Sequence, residues 1–475
     1  MAEILKPDIC VIGAGSGGLS VAAAAATFGV SCVLIEKGMM GGDCLNYGCV
    51  PSKALIASAK RAEALRKAGP FGMAATEPVV DFAKVNDHVK GVIAAIAPND
   101  SEERFTGLGV RVIREAASFV NTRRVVAGNF EIRARRYVIA TGSSPLVPPI
   151  PGLDKVPYLT NETIFDNRQR PVHLIVIGGG PIGMEMAQAH RRLGSAVTVV
   201  EMFTPLAKDD PEAAELVVER LRREGVDIRA GVKVVGVTGG RGAITVEIEG
   251  GRQVREKISG THLLVAAGRK PNLDGLGLEV AGIAYERTGI SVNKGLRTSN
   301  RRVYAIGDVA GGYQFTHVAN YHAGLVIRSA LFRLPVKEDP SIIPWVTYTD
   351  PELAQVGMSE AEASEAQKGS RVLRWTYAEN DRAQTERATE GFIKVVTSKR
   401  GKILGATIVG ASAGELIQIW ALAIAKGLNN KTMTGFISPY PTLGEISKRA
   451  AITFYTPSLT NPWLRRIIAL LRLFG

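Results

Sequence analysis

The sequence predicts an α/β chain in which two parallel-sheet nucleotide folds, one inserted in the other, are followed by a separate α+β domain. Three observations predict it. A strand, glycine turn and helix pattern occurs twice, each copy is followed at one spacing by a strand ending in an acid, and from about Ser341 the texture changes to alternating strands and helices without a glycine fingerprint.

The first copy is Ile9-Cys10-Val11-Ile12-Gly13-Ala14-Gly15-Ser16-Gly17-Gly18 and the second is Leu174-Ile175-Val176-Ile177-Gly178-Gly179-Gly180-Pro181-Ile182-Gly183. Both read G-x-G-x-x-G, through Gly13, Gly15 and Gly18 and through Gly178, Gly180 and Gly183. The second glycine lets backbone approach a pyrophosphate, the third lets helix pack on strand, and the helix N-terminus supplies donors to phosphate charge. Glu36 follows Gly15 by 21 residues and Glu201 follows Gly180 by the same 21. That is the place of a ribose-binding carboxylate, so two Rossmann-like dinucleotide-binding domains are expected. A carboxylate repels a 2′-phosphate and no arginine follows in Glu201-Met202-Phe203-Thr204-Pro205, which favours NADH over NADPH at the second site.

Further strands fit this plan. Tyr137–Pro145, holding Thr141 and Gly142, and Leu263–Asn272, holding Gly268, each read as strand, small-residue turn and proline exit. Val303–Val309 is another buried strand ending in an acid, Asp308, and precedes a helix from about Thr316. The expected order is a first nucleotide domain over 1–150, an inserted second one over 151–272, a return to the first over 273–340, an α+β domain over 341–456 and a tail over 457–475.

At 475 residues the chain is too long for one core. Its 46% hydrophobic and 22% charged residues are those of a soluble globular protein, and its 52 glycines suit nucleotide-binding turns. No stretch reaches the roughly 18 apolar residues of a membrane span. No basic, apolar and cleavage-site sequence opens the chain, so a cytoplasmic, reducing compartment is expected. The net charge of +13 is scattered, through Arg133–Arg136, Arg220–Arg223 and Arg252–Lys257 among others. No helix-turn-helix, zinc finger or aromatic-interleaved basic stripe accompanies it, and no nucleic-acid partner is expected.

Chemistry enters with Cys44 and Cys49, in Gly41-Gly42-Asp43-Cys44-Leu45-Asn46-Tyr47-Gly48-Cys49-Val50-Pro51-Ser52-Lys53. On an ideal helix a five-residue step rises roughly 7.5 Å and turns the second side chain away from the first. A disulfide needs Cα atoms about 4.4 to 6.8 Å apart, so the sulfurs meet only across a distorted turn, which Gly48 and Pro51 permit. A thiol at the start of the following helix would favour the thiolate. Two buried, unconnected thiols or half a zinc site are the plainer readings. Cys10 and Cys32 lie in apolar strand runs and read as core, leaving no second pair of ligands.

These motifs, with the Ala140-Thr141-Gly142 and Gly307-Asp308-Val309-Ala310 segments in order, make the chain resemble the class I flavin-dependent pyridine nucleotide-disulfide oxidoreductases over essentially its full length. Within that family it is similar to the lipoamide dehydrogenase and mercuric reductase branch. The resemblance implies FAD on the first fold, with Glu36 at the adenosine ribose, Asp308 near the ribityl and pyrophosphate, and the Thr316 helix pointing at the isoalloxazine. Ala117, Thr141, Gly142 and Gly268 are further cofactor-binding candidates. It implies NAD(H) on the second fold, a redox disulfide with Cys49 on the flavin side and Cys44 meeting substrate, a Lys53–Glu185 ion pair beside the flavin, and a C-terminal dimerisation domain making a homodimer.

The chain departs from the family pattern twice. Asp43 stands where Thr or Ser is usual. In Ser438-Pro439-Tyr440-Pro441-Thr442-Leu443-Gly444-Glu445, Tyr440 stands five residues before Glu445, where disulfide reductases carry the acid-base His. All six histidines, His88, His173, His190, His262, His317 and His322, lie upstream. A phenol with a pKa near ~10 is a poor base beside an imidazole near ~6.5, which demotes lipoamide or glutathione disulfide. Mercuric reductases have Tyr there but also a C-terminal cysteine pair, and all four cysteines here lie at or before Cys49.

The tail Pro462–Phe474 reads as a short basic amphipathic helix, suited to an anionic membrane surface or to docking on the protein or its dimer mate. The expected function is electron transfer from NADH through FAD and the cysteine pair to a metal ion, a small oxidant or an unidentified disulfide. Dihydrolipoamide dehydrogenase and a membrane-surface NADH-quinone flavoprotein are the alternatives.

Overall fold

Strands buried on both faces must be apolar throughout, and Ile9–Ile12 and Cys32–Ile35 contain no residue that is not buried. In the computed structural model, described over residues 2–251, 254–459 and 461–474, they form the centre of a parallel five-stranded sheet. Its order is Val303–Ala305, Arg136–Ile139, Ile9–Ile12, Cys32–Ile35, Arg111–Ile113. Arg252, in one of the basic stretches, lies outside the described residues.

Alternation along these strands divides the core in two. Ile9, Val11, Cys32 and Leu34 pack with the helices Ser16–Thr27 and Thr316–Ala330, through Leu19, Ala22, Ala25, Ala323 and Val326. Small residues bring these two helices close: a Cβ on Gly17 would lie 3.1 Å from the Ala319 Cβ. Cys10, Ile12, Val33 and Ile35 face the other way, onto Phe119, Val125 and Ile132 of a four-stranded sheet. Cys10 and Cys32 are therefore core residues.

The second glycine fingerprint starts a parallel four-stranded sheet ordered Val226–Ala230, Ala196–Glu201, His173–Ile177, His262–Val265. A three-stranded antiparallel sheet, Lys233–Gly240, Ala243–Glu249 and Arg255–Gly260, packs Val237, Ile244, Val246 and Ile248 against Ile175, Ile177, Leu263 and Val265.

The chain divides into two compact units, Met1–Met202 with Val226–Glu338, and Phe203–Gly225 with Asp339–Gly475. The second is built on an antiparallel five-stranded sheet ordered Pro344–Thr347, Glu352–Gly357, Ile403–Gly410, Phe392–Thr397, Arg371–Thr376. On one face Ala354, Ile393, Val395 and Ile408 pack against Ile417 and Trp420 of Ala413–Ala425 and Ile446 and Ala450 of Glu445–Ile452. The helix Pro211–Arg223 belongs to this unit too, and its N-cap residue Asp210 takes the buried Lys394 ammonium at 2.9 Å. The α/β plan with a C-terminal α+β part is thus the one the sequence predicts. Among the described residues no helix is long and apolar enough to cross a membrane.

Candidate active site

Each glycine fingerprint does two different things. Gly13 and Gly178 turn the chain with φ of +106° and +113°, and a Cβ would lie 2.4 Å from the Ala140 carbonyl oxygen in one and 2.3 Å from that of Ala266 in the other. A Cβ on Gly18 or Gly183 would stand 1.9 Å from the carbonyl oxygen of Gly13 or Gly178. Those four positions are glycine because the chain's own backbone leaves no room.

Gly15 and Gly180 differ. Both are extended N-caps, at φ −80° and −75°, of the helices Ser16–Thr27 and Pro181–Arg192, and a Cβ on either would meet nothing within 4 Å. Packing does not demand glycine there. Open backbone at a helix N-terminus fits the pyrophosphate of a dinucleotide, and the fit holds at both loops. The acids sit beside them: Glu36 accepts from the Ala14 and Gly38 amides at 2.6 Å each, and Glu201 accepts from the Gly179 amide at 2.6 Å. A carboxylate offers about four lone-pair sites, enough to take ribose hydroxyls as well.

The cysteine segment is fastened to the first loop. Gly41 donates to the Ala14 carbonyl at 2.9 Å, and a Cβ on Gly42 would lie 2.7 Å from the Gly15 Cα. Cys44 sits in the short helix Gly42–Asn46, the helix breaks at Tyr47 and Gly48, and Cys49 restarts it as the first residue of Cys49–Arg66. Gly48 adopts φ −121°, ψ −108°, and a Cβ there would come 2.8 Å from an Asp43 carboxylate oxygen. The distorted turn is therefore a break between two helices.

Both thiols are free, Cys44 half-buried and Cys49 exposed. They are not equivalent. Cys49 is held below the ordinary thiol range chiefly by a hydrogen bond from Cys44, with help from Thr316 and Lys53 and against burial and the Asp43 charge. Cys44 is pushed well above that range by the same bond and by burial. Thr316 Oγ1, at the start of its helix, lies 3.4 Å from Cys49 Sγ. One turn beyond Cys49, Lys53 Nζ pairs at 2.8 Å with Glu185, whose side chain is 6% exposed. Glu185 stands on the helix that Gly180 opens, so that helix holds the lysine beside the thiolate.

Asp43 is balanced by a residue that sequence reasoning missed. Arg269 reaches Asp43 Oδ1 at 3.1 Å, and Asn161 donates to the same oxygen at 3.0 Å. Arg269 also donates to the Ser143 hydroxyl and carbonyl oxygens, both at 2.8 Å, and Ser143 donates to Asp308. Burial raises the Asp308 carboxyl, and the Ser143 bond opposes it. The available signal was an arginine directly after Gly268, a glycine at φ +127°. Thr141 Oγ1 donates to the Asn272 carbonyl at 2.9 Å and the Asn272 amide to the Gly142 carbonyl at 3.0 Å, tying two strand exits together. Ala117 opens the strand Ala117–Asn121 and is half-buried against the core.

Tyr440 and Glu445 lie in the second unit. Tyr440 is 68% exposed and its phenol donates to Asp381 Oδ2 at 2.8 Å, which raises its pKa above the usual phenol range. Glu445 begins the helix Glu445–Ile452 with a side chain 17% exposed and Arg449 at 3.9 Å. Of the histidines, His322 is buried in the Thr316 helix, where Nδ1 accepts from the Gly307 amide at 3.1 Å and Nε2 meets Glu338 at 3.0 Å. It props the turn that carries Asp308. Among the described residues no group of three or more His, Cys, Asp or Glu could hold a metal ion.

Comparison with known proteins agrees with this geometry. Residues 7–323 match the pyridine nucleotide-disulphide oxidoreductase family and residues 343–451 its dimerisation domain. The chain is 35% identical over 453 residues to the mercuric reductase of Staphylococcus aureus, covering 94% of this chain and 82% of that one. It is 34% identical over 458 residues to the dihydrolipoyl dehydrogenase of Geobacillus stearothermophilus, covering 94% and 96%. Among solved structures it is similar to the Cu(II) complex of the HOCl-induced flavoprotein disulfide reductase RclA from Escherichia coli, with a TM-score of 0.83, 28% identity and coverage of 92% and 98%. With both nucleotide cradles, the cysteine pair and a dimerisation domain in place, this chain belongs to the pyridine nucleotide-disulphide oxidoreductases, flavoproteins that use FAD and NAD(P)H.

Proposed function

We propose that this protein oxidises NADH and passes the electron pair through FAD to the Cys44–Cys49 pair, and from Cys44 to a metal ion or small oxidant, as a homodimer. The observation that carries the choice of acceptor is the Tyr440 phenol, held protonated by Asp381 at 2.8 Å. A dithiol substrate needs a base near neutral pH to take its proton. A phenol whose pKa is raised further offers none, whereas a soft metal ion or an oxidant needs no such base. The relatives named mercuric reductase and the Cu(II) complex of RclA support the same class of acceptor.

FAD, when bound, supplies the two-electron relay between nicotinamide and sulfur. The chain's residues do the rest. Gly15 and Gly180 admit the two pyrophosphates, Glu36 and Glu201 orient the riboses, and Asp308 lies at the end of a strand beside the first cradle. Thr316 and Lys53 hold negative charge on Cys49, Glu185 keeps Lys53 in place, and Cys44 retains its proton until it meets the acceptor. As the sulfur pair closes to a disulfide it releases two electrons and the one proton that Cys44 held, Cys49 being already a thiolate. The choice of NADH rests on Glu201 and on the uncharged Met202 and Phe203 that follow it.

The test is NADH oxidation by the flavin-loaded protein with Hg(II), Cu(II), quinones, lipoamide and oxidised thiols. Turnover with metal ions or small oxidants, lost in Cys44→Ala, is expected. Lipoamide turnover exceeding both would overturn the reading and install dihydrolipoamide dehydrogenase, quinone turnover surviving Cys44→Ala would make the protein a direct flavin-to-quinone enzyme, and a preference for NADPH would remove the role given to Glu201.

A further inference from the structure

The helix Pro462–Leu471 is capped by Asn461, which accepts from the Trp463 amide at 2.9 Å, and it buries no side chain. Such a helix has no packed face to hold it, and its stability must come from something it lies against. At 100° per residue, Leu470, Trp463, Ile467, Leu471, Leu464 and Ile468 fill an arc of about 160°. Trp463 is 71% exposed and Leu471 60%.

The opposite arc carries all the charge, as three arginines, with Pro462, Ala469 and Leu473 between Arg465 and Arg466. Arg472 falls next to Ile468 at one border, Arg466 next to Leu470 at the other, and Arg465 between them, while the Arg466 guanidinium lies 5.4 Å from the Trp463 ring. From Ile446 onward the sequence contains no Asp or Glu, but it contains Lys448, Arg449, Arg465, Arg466 and Arg472. Arginines at both borders of an apolar face can reach outward to anionic headgroups while the face sinks among acyl chains. A second copy of a chain with net charge +13 is a poor partner for that border.

We propose that this helix seats the protein on the surface of a bilayer containing anionic phospholipid, lying in the interface without crossing it. Seating needs both halves of the helix, the apolar arc for insertion and the arginines for charge.

The experiment is flotation of the flavin-loaded full chain with vesicles of phosphatidylcholine alone and of phosphatidylcholine with phosphatidylglycerol. Binding to the anionic vesicles only is expected, weakened by high salt. Each arginine near an anionic surface is worth about fivefold in binding, so Arg465→Ala/Arg466→Ala/Arg472→Ala should bind about a hundredfold more weakly. Ile467→Asp/Leu471→Asp and a form ending at Leu459 should not float at all. NADH-driven flavin reduction and the dimer mass should be unchanged in all three, which separates loss of seating from misfolding and from any error about the acceptor. Equal flotation of the full and shortened chains would overturn the proposal, as would a fall from dimer to monomer on shortening, which would place the apolar arc against a second copy.

Discussion

The thiolate at Cys49 can be titrated one bond at a time. Its pKa is lowered to about 6, and Thr316 contributes one of the two hydrogen bonds that stabilise the charge, at 3.4 Å. A bond to a charged group contributes roughly 1.5 to 3 kcal/mol. For a diffuse sulfur acceptor the lower end applies, and about 1.5 kcal/mol is about one pH unit at 1.36 kcal/mol per unit. Thr316→Val should therefore move the midpoint up by about one unit, and Thr316→Ser should restore it. The assay is ultraviolet thiolate absorbance against pH in a Cys44→Ser background, which keeps a hydroxyl donor to Cys49. Subtracting Cys44→Ser/Cys49→Ser cancels the flavin. Coincident midpoints for Thr316→Val and Thr316→Ser would refute the assigned bond. A parent midpoint near the free-thiol value of about 8.5 would refute the thiolate itself.

Three further contacts can be tested by substitution. Gly180→Ala meets nothing within 4 Å and should leave the melting temperature unchanged while raising KM for NADH; Gly183→Ala, with its Cβ 1.9 Å from a carbonyl, should cost about 4 kcal/mol or more in thermal unfolding. Arg269→Ala strips the counter-charge from Asp43 and should cost about 1 to 3 kcal/mol in urea unfolding, part of it regained in Asp43→Asn/Arg269→Ala. Asp209, buried and bonded to Trp345 Nε1 at 2.8 Å, has its pKa raised by burial to about 6 from 3.8. The unfolded chain gives up that proton first, so stability falls as pH rises from about 4 to about 6 and then levels, by roughly 2 to 3 kcal/mol. Asp209→Asn should unfold at higher urea than the parent near pH 7.5 and match it near pH 4.

The legible part of the fold is the part where one residue type answers one local demand. Gly18 is required by the carbonyl oxygen of Gly13, five residues earlier, and the 21-residue step to Glu36 follows from one strand, turn, helix and strand. Gly48 pointed to the break between the cysteines, and a Cβ there would crowd Asp43 at 2.8 Å. Arg269 was not legible. Its partner lies 226 positions earlier in the chain, and a polar pairing across that distance leaves no periodicity to read. Tyr440 was visible as a departure, but its bond to Asp381 depends on where a separate strand and turn deliver that carboxylate.

The two glycine loops agree to 0.1 Å in the contacts that force their glycines, and that agreement makes the molecule its own control. Any substitution at Gly13, Gly15 or Gly18 has a twin at Gly178, Gly180 or Gly183, made in the same chain, purified in the same tube and melted in the same scan. Where twins behave alike, the effect belongs to the turn; where they part, it belongs to the ligand above it. The difference between what the two cradles hold can thus be weighed inside a single polypeptide, with no second protein as reference.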